Sequence, residues 1–209
     1  RGARLRGCFA GRARGGDPDD EELSGGRDMN ESAPQGALLR PGMRPGPEQE
    51  EFMPQEKTNA MRILDRAKAS YLVHTYEGGA LSGVAVAASL GEDPGRVYKT
   101  LVTVGSPRRY YVFIIPVAAE LDLKKAARAA GEKSVDMLPL KELFPLTGYV
   151  HGGCSPLGMK KAFPTFFHSD AEGGTIFVSG GKVGVQIEAA CSDLVRLTGG
   201  TFADLVRES

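Results

Sequence analysis

The chain lacks every feature that would announce a large charged partner, a membrane or a metal. Lys plus Arg equals Asp plus Glu at 26 each across 209 residues, so no overall basic balance points to nucleic acid. Residues 57 to 209 alone hold 18 basic and 15 acidic side chains, a surplus so mild that an RNA partner would need a local patch. The three cysteines, Cys8, Cys154 and Cys191, are odd in number and far apart, with no CxxC and no zinc spacing. They indicate a reducing compartment. No apolar run approaches the ~20 residues of a membrane helix. The expectation is a soluble cytoplasmic chain with neither metal nor cofactor.

Residues 1 to 56 carry little periodic apolar character and hold 10 of the 28 glycines and 6 of the 13 prolines. Arg1, Arg4, Arg6, Arg12 and Arg14 are followed by the acidic block of Asp17, Asp19, Asp20, Glu21 and Glu22. The acidic block argues against an organelle-targeting reading of the basic start. Such a segment buries too little apolar surface to offset the entropy of ordering it, so a disordered or extraneous extension is expected.

From residue 57 to 209 one folded domain is expected. Thr58 and Asn59 offer cap side chains for a helix over Ala60 to Ala69, with Met61, Leu64 and Ala67 as its buried stripe. Tyr71 to Tyr76 reads as a strand that puts His74 and Tyr76 on one face. A helix over Val84 to Leu90 stops at Gly91. Lys99 to Val104 and Tyr110 to Ile115 read as a hairpin, followed by a helix over Leu121 to Ala130. A short strand near Val135 and a helical turn at Leu140 to Phe144 come next. Thr165 to His168, Thr175 to Val178 and Val185 to Glu188 read as strands, and helices are expected over Ala189 to Leu197 and Phe202 to Val206. Strands with irregularly interspersed helices and hairpins indicate a mixed sheet in an α/β domain of the α+β type, without the regular βαβ alternation of a doubly wound fold.

The chemistry concentrates in Gly148-Tyr149-Val150-His151-Gly152-Gly153-Cys154-Ser155-Pro156-Leu157-Gly158, which packs four glycines and a proline into eleven residues. Gly152 and Gly153 let a ligand approach the backbone closely, and Ser155-Pro156 stiffens the end of the loop. Such a loop can aim N–H groups at a carbonyl oxygen gaining charge in acyl transfer, or at a phosphate; it can equally be a structural turn. Lys99, at the start of an apolar strand, either snorkels to the surface or places its ammonium in a pocket mouth. Thr100, on the opposite face of the strand, is a weaker candidate. His74 and His151 have no third partner for a triad or a metal site, so a structural role is expected of both. Cys154 would need a base or an electropositive setting to act as a nucleophile. Ser155 lacks any evident base, and Ser179-Gly180-Gly181-Lys182 reads as a hairpin turn.

The Gly-Gly-Cys-Ser-Pro-Leu-Gly motif, with Val97-Tyr98-Lys99-Thr100-Leu101 before it and Val178-Ser179-Gly180-Gly181-Lys182 after it, resembles the YbaK family of free-standing aminoacyl-tRNA editing proteins. These are related to the editing domain inserted in some bacterial prolyl-tRNA synthetases. The likeness runs from about Lys57 to Leu205. It implies a partly closed mixed β-sheet flanked by helices, and deacylation of mischarged tRNA, most specifically Cys-tRNA(Pro). The substrate's own thiol would cleave the ester, with no metal, cofactor or protein nucleophile. The resemblance assigns Lys99 the catalytic role and Tyr76, Gly152, Gly153, Ser155, Gly180 and Gln186 to the substrate pocket. The implied partners are the acceptor end of an aminoacyl-tRNA and prolyl-tRNA synthetase. Gln186 departs from the pattern, standing where a well-known family member has an aspartate; glutamine cannot act as a carboxylate base but can orient an amine or water. Deacylation of Ala-tRNA(Pro), or non-catalytic binding of tRNA or synthetase, stays open as an alternative.

Overall fold

The computed structural model describes residues 56–79 and 81–207. The expected N-terminal extension lies outside the described residues. Two sheets and five eight-residue helices make up the fold of the described residues. A three-stranded antiparallel sheet runs in the order β1 (Tyr71–Thr75), β7 (Val185–Ala190), β6 (Thr175–Ser179). A five-stranded mixed sheet runs in the order β4 (Val135–Met137), β2 (Tyr98–Gly105), β3 (Arg109–Pro116), β5 (Thr165–His168), β8 (Thr201–Ala203). β3, β5 and β8 are mutually parallel, whereas β2 is antiparallel to both β3 and β4.

The sheets meet just before β2. Val97 forms a parallel bridge with Phe177 of β6, the Phe177 N–H donates to the Arg96 carbonyl at 2.9 Å, and the Val117 N–H donates to the Val97 carbonyl at 2.8 Å. Phe177, Val97 and Val117 are buried there with Ala87 from α2 (Gly83–Leu90). This joint links the two sheets of a mixed α+β fold, the class the sequence reading expected.

β3 reads Arg-Tyr-Tyr-Val-Phe-Ile-Ile-Pro because both of its faces are covered. Val112 and Ile114 enter the main core with Leu64 of α1 (Asn59–Arg66), Phe167, Val178, Ile187 and Leu194 of α5 (Cys191–Thr198). Tyr111, Phe113 and Ile115 enter a second cluster under α3 (Leu123–Ala130). The period of two in side-chain direction thus feeds two cores from one strand.

Local signals explain most helix boundaries. Thr58 caps α1 by accepting from the Met61 N–H, Ser82 caps α2 and Asp122 caps α3, each through a side-chain oxygen. Gly91, Gly131, Gly148 and Gly199 end their helices with φ between 63° and 83°, where a Cβ is disfavoured.

The expected helix over Phe202 to Val206 is instead β8, followed by a bridge from Val206 to Leu121. A segment this short is a marginal helix, whereas pairing beside β5 lets Phe202 pack on Phe167 with centroids 6.3 Å apart and buries Leu205 completely. Ala189 and Ala190 belong to β7 and not to the last helix, because they pair with Ile176 and Thr175. The turn at Leu140 extends through Pro145 to Thr147 as α4 (Leu140–Thr147).

Phe177 is fully buried at the joint, so Phe177→Ala is expected to cost about 3–5 kcal/mol. The loss should appear as a lowered urea midpoint with little change in slope.

Candidate functional site

A cavity of about 200 Å³ opens beside this joint. Its walls come from Tyr76 after β1, the first turn of α2, the start of β2, Val117 after β3, Leu143 of α4, the glycine loop, and Ser179 and Gln186 of the β6–β7 hairpin. Four of the sequence-predicted residues, Tyr76, Lys99, Gly152 and Gln186, line it together although they lie up to 110 positions apart.

Lys99 is half-buried, and its ammonium donates to the Val117 carbonyl at 3.1 Å. That bond uses one of three N–H donors and fixes the head group at the cavity. Burial lowers its pKa from the ordinary 10.5, with Glu120 pulling weakly the other way. Among the described residues no carboxylate side chain lines the cavity, and Lys99 is the one lysine or arginine in its wall.

Gln186 sits on β7 opposite His74 and Ser179 and is 6% exposed. Its Oε1, like the Thr100 Oγ1, is buried without a hydrogen-bond partner. An unpaired buried polar atom costs about 1–3 kcal/mol, and both belong to residues of the cavity wall.

The other three predicted residues support the wall and do not line it. The Gly153 N–H donates to the Val150 carbonyl at 3.0 Å, so it is not available to a ligand. A Cβ on Gly153 would lie 3.1 Å from the Val183 nitrogen and 3.3 Å from the Lys182 carbonyl carbon, so the glycine lets the loop lie flat on the Lys182–Val183 turn. Ser155 is wholly buried, and its Oγ accepts from the Leu157 N–H at 3.3 Å, shaping the turn at Pro156. The Gly180 N–H closes the β6–β7 hairpin on the Val185 carbonyl at 2.9 Å. Gly152 alone of the glycine pair faces the cavity, with φ +79°.

Tyr149 ties the loop down. Its hydroxyl donates to the Leu157 carbonyl at 2.7 Å, while its ring packs where a Cβ on Gly181 would be, 3.0 Å away. Asn59 of α1 donates to the Gly158 carbonyl at 2.9 Å. Burial pushes the Cys154 thiol up to about 12, so at neutral pH it lines the cavity as a protonated thiol and not as a nucleophile.

The two histidines part ways. His74 is engaged outside the cavity: Nε2 lies 3.0 Å from Glu188, which also pairs with Arg96, and the ring packs on Phe177. His151 lines the cavity, where the sequence reading expected a structural role; its signal was its place immediately before Gly152. The sequence reading also missed Gly83, whose absent Cβ would lie 2.6 Å from a Val117 methyl. That glycine lets the first turn of α2 close over the strand holding the Lys99 anchor.

A two-sheet α+β domain with a lysine-bearing, carboxylate-free cavity at the junction of its sheets belongs to a recognisable class. A family model for the aminoacyl-tRNA editing domain matches residues 79–197, more than half of the chain. The chain is 49% identical over 154 residues to an Enterococcus faecalis protein named "Putative Cys-tRNA(Pro)/Cys-tRNA(Cys) deacylase EbsC", covering 72% of this chain and 94% of that one. It is 27% identical, with a TM-score of 0.64, to a crystal structure described as a putative trans-editing enzyme for prolyl tRNA synthetase, covering 72% and 98% of the two chains. A structure of a hypothetical protein shares the fold at a TM-score of 0.67 and 20% identity, over 72% of this chain and 100% of the other. The chain belongs to the aminoacyl-tRNA editing domain family.

The packing of the loop sets two expected outcomes. Gly153→Ala forces two backbone segments apart and is expected to cost about 1–3 kcal/mol, lowering the melting temperature by about 5 °C. Because its thiol is protonated, Cys154 should resist iodoacetamide at pH 7.5 over an hour in the folded protein and react within minutes in urea, as read by mass spectrometry.

Proposed function

We propose that this protein deacylates mischarged Cys-tRNA(Pro) in trans, using the thiol of the bound cysteine to cleave its own ester. The observation that carries this reading is the composition of the cavity wall: one lysine ammonium and, among the described residues, no carboxylate. Such a wall suits a reaction whose nucleophile arrives with the substrate. The Enterococcus relative, covered over 94% of its length, bears the name of an enzyme acting on Cys-tRNA(Pro) and Cys-tRNA(Cys).

In this mechanism the thiol sulfur attacks the ester carbonyl carbon, a C–S bond forms, and the bond to the ribose oxygen breaks. The thiol proton passes to that oxygen, releasing free tRNA and a cysteine thiolactone. The protein supplies orientation and charge stabilisation. Lys99 is the catalytic group, donating to the carbonyl oxygen as it gains charge. The Gly152 N–H and the first turn of α2, whose dipole favours negative charge, assist it. Gln186 Oε1 and Thr100 Oγ1 accept from the substrate ammonium, and Tyr76 walls the amino-acid side of the pocket. Gly153, Ser155 and Gly180 hold the loop and the hairpin in register. Prolyl-tRNA synthetase is the proposed delivering partner, which suits a domain without a strong overall charge, and the cytoplasm is the proposed compartment.

The test is release of labelled cysteine from Cys-tRNA(Pro), with Ala-tRNA(Pro) beside it. Wild type is expected to release cysteine, and Lys99→Ala to lose about 10²–10³ in kcat, the usual loss of an oxyanion donor. Release from the alanyl ester alone would move the substrate, and no release from either would leave a binding protein. The pH profile carries a second outcome. The rate should climb as the substrate thiol ionises near ~8.5. It should fall again as Lys99 loses its proton, and because burial lowers that pKa the falling limb lies below 10.5. In Lys99→Arg, whose charge persists, that limb should move to higher pH.

A further inference from the structure

Seven large apolar side chains are exposed among the described residues, and four of them, Met137, Leu140, Phe144 and Val150, fall within fourteen consecutive positions. Leu140 and Phe144 lie four apart on the outer face of α4 and are 67% and 56% exposed. The same helix turns Leu143 into the cavity, and Val150 directly precedes the cavity residues His151 and Gly152. Leu143 lies three positions from Leu140, so the apolar shelf borders the cavity wall on a neighbouring face of the same helix.

The Phe144 ring has the Lys160 side chain as a neighbour. Its carbonyl accepts from the Gly148 N–H at 2.9 Å and from the Lys160 ammonium at 3.4 Å, and that ammonium lies 4.9 Å from the ring centroid. Lys160, Lys161 and Lys141 are exposed and make no ion pair with a carboxylate among the described residues, while the neighbouring Glu142 is neutralised by Arg108 at 2.7 Å. The shelf therefore joins an exposed aromatic ring to a local excess of positive charge, on a chain whose overall charge is zero. Lysine is depleted in protein–protein interfaces, whereas an aromatic platform beside cations is how single-stranded RNA is bound.

We propose that this shelf seats the unpaired 3′ nucleotides of the tRNA that precede the aminoacylated adenosine. A base stacks on Phe144 against Leu140, and Lys160, Lys161 and Lys141 face the backbone phosphates. The inference rests on the deacylase reading, because the ester reaches the cavity only if the single-stranded end of its own tRNA crosses this face.

Two measurements test it: binding of an unacylated RNA oligonucleotide ending in CCA by fluorescence anisotropy, and deacylation of Cys-tRNA(Pro) beside the cysteinyl ester of adenosine alone. Phe144→Ala is expected to weaken oligonucleotide binding and raise KM for the tRNA about tenfold, to leave the adenosine ester unaffected, and to be rescued by Phe144→Tyr. The double variant Lys160→Ala, Lys161→Ala should flatten the salt dependence of binding. Unchanged oligonucleotide binding in Phe144→Ala overturns the proposal. So does an equal loss on both esters, which would make the ring a support of the cavity. An effect seen only with prolyl-tRNA synthetase present would assign the shelf to a protein and overturn it too. If wild type binds the oligonucleotide through Phe144 but releases no cysteine, the deacylase reading falls and the shelf stands.

Discussion

Two backbone hydrogen bonds around Arg96 and Val97 decide where the chemistry can sit. The Arg96 carbonyl receives Phe177 from the small sheet, and the Val97 carbonyl receives Val117 from the end of the large one. Two residues later the chain reaches Lys99, whose ammonium returns to the Val117 carbonyl. The position of the charge therefore depends on the joint between the sheets and not on a mobile loop. The cavity exists because two ladders diverge from this point, and α2 and the glycine loop close the gap between them.

The glycine loop was legible as a loop, and its resemblance placed it at a site; which of its groups would face a ligand was not. Sequence cannot tell an N–H that points at a substrate from one that closes a turn. Gly152 and Gly153 are adjacent and identical, yet only the first faces the cavity, because the second lies against the backbone of Lys182 and Val183. Ser155 and Gly180 likewise spend their polar groups on turns. Lys99 and Gln186 were readable only through the resemblance, because a polar residue in a strand can equally reach the surface. Gly83 left no such trace, since the contact that requires it, with Val117, joins residues 34 apart. β8 escaped for a related reason: the five-residue helical pattern over Phe202 to Val206 is weak, and the parallel neighbour that recruits it lies more than thirty residues earlier.

Burial also separates the groups that can react from those that cannot. Cys154 is the one cysteine in the cavity wall, but desolvation holds its proton on well above neutral pH. Lys99 is shifted in the opposite direction by the same force, because the charged form is the protonated one.

The β6–β7 hairpin carries a further consequence. Along β7 the side chains alternate, so Gln186 reaches the cavity and Glu188 meets His74 and Arg96 outside it, while Val185, Ile187 and Ala189 fill the main core. That assignment hangs on the pairing of Ser179 with Gln186 across a five-residue connection. Adding or deleting a single residue there would exchange the two sets, putting isoleucine and valine in the cavity and a glutamine and a glutamate in the core. The connection is therefore free to vary in side chain at an outward position such as Lys182, but closed to variation in length. A turn that touches no ligand in this way governs which residues can meet one.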